Sequence, residues 1–170
     1  MATTGLAIPS GTNAGTYYVC AKADSGSTIT EADETNNILC SSTQVTVPLP
    51  DLVMTALSTT ATSVAKGGSF SLSNATKNQG GSSAGSFAIG FVLSSNTTIG
   101  DSDDIALSSQ RSVTSRGVGG TSSASTTVTV PLSTPSGFYY IGAITDINNT
   151  VTEGSEGNNT RTTTSTIIVP

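Results

Sequence analysis

A stretch near the start of this 170-residue chain is written again near its end. Gly15-Thr-Tyr17-Tyr18-Val-Cys20-Ala-Lys-Ala-Asp24 aligns with Gly137-Phe-Tyr139-Tyr140-Ile-Gly142-Ala-Ile-Thr-Asp146. Without a gap, Thr30-Glu31-Ala-Asp-Glu34-Thr-Asn36-Asn37 then aligns with Thr152-Glu153-Gly-Ser-Glu156-Gly-Asn158-Asn159. The offset is 122 positions throughout, and it carries Pro9 onto Pro131 and Pro48 onto Pro170. Self-similarity at a fixed offset marks one structural unit used more than once. Residues 1–48 therefore read as the end of a first unit, and 49–170 as one whole unit.

Inside the whole unit the apolar period is two, which is the period of a strand. Phe87, Ile89, Phe91 and Leu93 form one face, Phe70 and Leu72 a second, and Phe138, Tyr140 and Ile144 a third. Val128 with Val130, and Ile167 with Val169, alternate in the same way. Turn-forming clusters separate these runs: Lys66-Gly-Gly, Asn78-Gln-Gly-Gly-Ser-Ser, Gly100-Asp-Ser-Asp-Asp and Gly117-Val-Gly-Gly. About seven short strands with such punctuation predict an all-β, antiparallel sandwich. Residues 131–170 would supply its last hairpin, with 146–159 as the loop. Pro48 and Pro50 mark the junction between units. The hairpin in 1–48 lacks its other strands, and a lone hairpin is marginal in water. It is either part of a longer tandem array or an element exchanged with a neighbouring chain.

Composition removes several function classes. Six basic residues, Lys22, Lys66, Lys77, Arg111, Arg116 and Arg161, are too scattered for a nucleic-acid footprint. There is no His, which excludes Ser-His-Asp and Cys-His catalysis and His-ligated zinc. No apolar run approaches the ~20 residues of a membrane span. Met1 to Gly15 lacks the basic and apolar regions of a signal peptide, so a secreted protein would be represented by a mature or internal fragment. Gly81-Ser-Ser83-Ala-Gly85 fits the nucleophile-elbow pattern but has no His and no following helix, so it reads as a turn. The sequons at Asn74, Asn96, Asn148 and Asn158 carry little weight in a chain with 57 Ser and Thr.

The run Phe91-Val-Leu-Ser-Ser-Asn-Thr-Thr-Ile-Gly-Asp101-Ser-Asp103-Asp104-Ile-Ala-Leu resembles the middle of the CARDB domain, the cell-adhesion-related domain of bacteria and archaea. So does Val130-Pro131…Gly137-Phe-Tyr-Tyr-Ile-Gly-Ala…Asp146…Val151-Thr-Glu153…Glu156-Gly-Asn158-Asn159. The resemblance covers nearly all of 49–170, and 9–48 match the C-terminal part again. It implies an immunoglobulin-like sandwich, often in tandem, in exported or surface proteins, with no catalytic activity.

The densest set of oxygen donors is Asp146, Asn148, Asn149, Glu153, Glu156, Asn158 and Asn159. Calcium takes six to eight such ligands in an irregular loop, so calcium is the cofactor this set suits. The first copy keeps Asp24, Glu31, Glu34, Asn36 and Asn37. The spacing is not that of an EF-hand, and the alternative is turn chemistry, in which Asp and Asn shape the backbone and Glu solvates it. A second acidic loop, Asp101-Ser-Asp103-Asp104, offers a weaker metal site or could complete the first. Cys20 and Cys40 fall in the two strands of the first hairpin, where one register sets them opposite each other. They are a cross-strand disulfide or two free thiols, and the exported setting implied by the resemblance favours the disulfide. The pairs Tyr17/Tyr18 and Tyr139/Tyr140 suit core packing and a tyrosine-corner hydrogen bond better than a ligand platform.

The sequence thus predicts a non-enzymatic, extracellular structural or adhesive module of a prokaryotic surface protein, stacked in tandem. Its partners would be neighbouring copies or adjacent repeats and a surface ligand that the sequence does not identify. Two other readings stay open. One is a self-assembling filament subunit whose 1–48 hairpin docks on a neighbouring chain. The other is a carbohydrate-binding accessory module, which would need an exposed aromatic platform.

Overall fold

The computed structural model describes residues 5–9 and 12–170. The chain divides into two compact units, Met1–Pro48 and Leu49–Pro170. The first holds two antiparallel strands, β1 (Gly15–Lys22) and β2 (Ile38–Val47). The second holds β3 (Leu52–Ser58), β4 (Ser69–Asn78), β5 (Phe87–Ser94), β6 (Ile105–Ala106), β7 (Arg111–Val113), β8 (Thr121–Thr129), β9 (Gly137–Thr145), β10 (Thr160–Thr162) and β11 (Ile167–Val169). The chain is all-β, and the second unit is an immunoglobulin-like antiparallel sandwich. One sheet runs β3-β4-β8; the other runs β10-β9-β5-β6, with β7 also on β5 and β11 also on β9.

The two-residue period explains why these layers close on each other. Leu52, Met54, Phe70, Leu72 and Val128 point inward from the first sheet, and Phe87, Ile89, Phe91, Leu93, Ile141 and Ile167 from the second. Each such side chain taken from water contributes roughly 1.5–3 kcal/mol, and outward Ser and Thr keep the other faces wet. Ser69–Thr129 and Ser71–Ser125 hydroxyl pairs bond across β4 and β8 on that outer face.

One face differs from the sequence expectation. In β9 the buried set is Tyr139, Ile141 and Ala143, while Phe138 is 68% exposed and Tyr140 and Ile144 are only partly covered. Phe138 to Ile141 is a continuous apolar run, so alternation alone does not say which residues face inward, and a slip of one reverses them all. The Tyr139 hydroxyl decides it by donating to the Pro135 carbonyl at 3.0 Å. Tyr17 repeats this corner on Asn13 at 2.9 Å.

The hairpins of the two units share their irregularities. β1 and β2 slip register between Tyr18 and Cys20, where the Val19 amide donates to Ser41 Oγ. β9 changes partner from β11 to β10 at the matching point, where the Ile141 amide donates to Thr163 Oγ1. Cys20 pairs with Cys40, and their sulfurs are bonded.

Candidate functional site

The β9–β10 loop, residues 146–159, is built by carboxylates that accept its own amides. Asp146 ends β9 at φ 50°, a left-handed conformation, and Asn149 follows at 49°. This turns the backbone so that Asp146 Oδ2 accepts from the Val151 amide and Oδ1 from the Thr150 hydroxyl, both at 2.7 Å. Glu156 accepts from the Glu153 amide at 3.1 Å. Glu153 accepts from the Leu52 amide at the start of β3 and from Asn159 Nδ2 at 3.0 Å. Asn158 donates to Asp51 at 2.9 Å, and Asn148 to Gln110 at 3.4 Å. Burial raises the Glu153 carboxyl above its ordinary range; the Leu52 and Asn159 hydrogen bonds oppose this, and the nearby Glu156 and Asp146 charges add to it.

The first copy repeats these bonds in an exposed setting. Asp24 accepts from the Ile29 amide and from the Thr28 amide and hydroxyl at 2.8–2.9 Å, which holds its carboxyl below the usual aspartate value. Glu34 accepts from the Glu31 amide at 2.9 Å and from Asn37 Nδ2 at 3.4 Å. Asp146, Glu153 and Glu156, and in the first copy Asp24 and Glu34, are therefore engaged with backbone and amide donors, and among the described residues no three carboxylates of either loop converge.

A different loop does gather carboxylates. Asp101, Asp103 and Asp104, in the loop between β5 and β6, each present an oxygen within 4.8 Å of the others. Asp103 accepts from the Ser95 amide at 3.0 Å, from the Ser95 hydroxyl and from Asn96 Nδ2 at 2.9 Å. Asp101 accepts from Asn96 Nδ2 and the Asp103 amide, both at 3.3 Å. Asp104 takes the Gly100 amide at 2.6 Å with one oxygen, and its other oxygen is buried without a partner. A hydrogen bond from Asp101, followed by those from Ser95, brings Asp103 down to about 2. Asp101, on the other side of that hydrogen bond, is raised. Oxygen-only donors held this close suit a hard divalent cation.

One polar feature escaped the sequence reading. Arg111, on β7, reaches across to the other sheet, donating to Asn74 Oδ1 at 2.7 Å and to the Ser122 hydroxyl. A lone arginine between Gln and Ser carries no local sign of this partner. It also uses the amide of the Asn74 sequon, and Asn74 is 3% exposed.

The CARDB family model matches residues 49–163. A CARDB domain from Pyrococcus furiosus, solved in complex with di-metal ions, is 22% identical over 72% of this chain and 90% of its own, with a TM-score of 0.48. A domain of a provisionally named cell-surface protein from Methanosarcina acetivorans is 24% identical over 72% and 93%, also at 0.48. A β-glucosidase from Listeria innocua is 14% identical over 74% of this chain but only 16% of the enzyme, at 0.41. No curated protein matches the chain. Among the described residues, no helix is long and apolar enough to cross a membrane.

Proposed function

Because the chain belongs to the CARDB family, a non-catalytic, adhesion-related domain, we propose that Leu49–Pro170 is an extracellular structural or adhesive module. In this reading residues 1–48 are the closing strands of a preceding module, in a tandem arrangement on a prokaryotic surface protein. The observation that carries it is the bond-for-bond recurrence of the hairpin: the tyrosine corner, the slipped register and the carboxylate-capped loop are the same in both copies. The path of the chain through the second unit supports it. The segment before β3 enters beside the β9–β10 loop, where the Gly154 amide donates to Pro50 at 2.8 Å, and β11 leaves beside Ser63. Entry and exit at opposite ends let such modules add in line. An outer surface of Ser and Thr hydroxyls, with little charge, suits exposure outside the cell, as does the disulfide.

Calcium is proposed at Asp101, Asp103 and Asp104, with the unpartnered Asp104 oxygen as a further donor. It would offset two of the three negative charges and stiffen the β5–β6 loop. The test is a thermal melt of the full chain in millimolar calcium and again in EDTA. Free ligand at ~1,000 times its dissociation constant stabilises by ~4 kcal/mol, a shift of several degrees in a domain of this size. The shift should vanish in a D101N/D103N/D104N variant and persist in Glu153→Gln. No shift in the native chain rejects the calcium site and leaves the module as a plain spacer.

A further inference from the structure

The first unit exposes a face whose counterpart in the second unit is core. Tyr17, Val19 and Val45 are 41%, 43% and 39% exposed. The residues 122 positions on, Tyr139, Ile141 and Ile167, are 8%, 0% and 1% exposed, covered by the β3-β4-β8 sheet. The free edge of β1 has a counterpart too, because β9 pairs with β5 from Ser94↔Tyr140 to Ile89↔Thr145. Glu31 likewise occupies the place of Glu153, which takes the first amide of β3. The inward face, the strand edge and the loop acid that the second hairpin uses to hold strands β3 to β8 are thus presented by the first.

The chain's own strands cannot reach it. β2 would have to end where β11 ends, beside Ser63, while β3 starts at the opposite end of the sandwich. Residues 48–51 span at most about 18 Å between Val47 and Leu52, less than the ~20 Å length of β3 alone. The occupant comes from elsewhere.

The outer side of the hairpin selects which occupant. At Gly142 an added Cβ would lie 2.6 Å from Ile99 Cδ1 and 2.7 Å from Val92 Cγ2. The first copy has Cys20 at this position, bonded to Cys40. At Gly90 an added Cβ would lie 2.8 Å from Ile147, where the first copy has the smaller Ser25. The two sites are altered in opposite senses: more bulk beside Val92 and Ile99, less beside Gly90.

We infer that the open face of the β1–β2 hairpin docks the first-strands half of a related but non-identical module, and that the Cys20–Cys40 pair disfavours a copy of residues 49–130 in that place. The occupant has a smaller side chain than Ile99 facing Cys20, and room for more than Gly opposite Ser25. This rests on reading 1–48 as the closing strands of a module, and it gives a tandem protein a way to keep each hairpin with its own partner.

The experiment joins residues 49–130 directly before Pro9 of the full chain, so that the first hairpin meets a copy of this half in the natural order. Amide exchange of Tyr18–Ala23 is compared under reducing conditions, so that no disulfide contributes in any of them, in three fusions: native, C20G/C40T (the residues of the second copy), and Val92→Ala with Ile99→Ala in the added half only. Relief of this overpacking means that both altered fusions should protect these amides roughly tenfold or more above the native one. A native fusion protected as well as the altered ones overturns the selectivity and restores the filament built from identical copies. If the hairpin stays unprotected in all three, the reading of 1–48 as the closing strands fails with it.

Discussion

At the scale of single residues, the same carboxylate does the same work in two environments, and burial sets what it is worth. Asp146 is 5% exposed and satisfies the amide of Val151, itself 8% exposed. Replacing Asp146 by Ala leaves that amide without a partner, which costs about 1–3 kcal/mol. The melting temperature of the second unit should fall by several degrees, while Asp24→Ala, where water replaces the lost acceptor, should change stability far less. Glu153 supplies a pH signature. Its carboxyl is raised by burial above the ordinary 4.5, so the stability it contributes is present below the unfolded value and is lost as pH rises through the folded one. Gln at this position is neutral throughout and keeps an oxygen for the Leu52 amide. The melting temperature of Glu153→Gln relative to the native chain should therefore climb from pH 4 to pH 7; a gap that does not move rejects burial as the cause. The sequence exposed these acids as a cluster but not their role. Turn chemistry and calcium both call for Asp, Asn and Glu at close spacing, and the position of the amides that these acids accept is set by the fold.

At the scale of elements, the β1–β2 hairpin has the local instructions of a strand pair without a second layer. Its register, tyrosine corner and loop bonds form from nearby residues, which is why the repeat was readable. Its stability is another matter, since both strands are almost wholly exposed. Closing a loop of 20 residues by a disulfide contributes about 3 kcal/mol through the unfolded state. Reduction, or C20S with C40S, should abolish amide protection in β1 and β2 while leaving that of Leu49–Pro170 as it was. Equal protection with and without the bond would mean that strand pairing alone suffices. The inward face of β9 was not readable, because Phe138, Tyr139, Tyr140 and Ile141 offer similar bulk to either side.

At the scale of the molecule, a net charge of −5 keeps chains apart at neutral pH, and this repulsion disappears near the isoelectric point of 4.3. With an apolar face and a free strand edge on the first unit, light scattering should rise as pH approaches 4.3 and rise less for Val45→Lys. Scattering that is the same in both would place the association surface elsewhere. The sequence by itself determined the self-similarity at an offset of 122, the all-β class and the absence of His chemistry, because these depend on composition and on local period. The tertiary structure alone decided which side of β9 is core, which backbone amides the acids of 146–159 accept, and that Asp101, Asp103 and Asp104 converge. Each of these is fixed by a partner distant in the chain or by the direction in which a turn leaves an amide or a carboxylate pointing, and neither is written in the spacing of residue types.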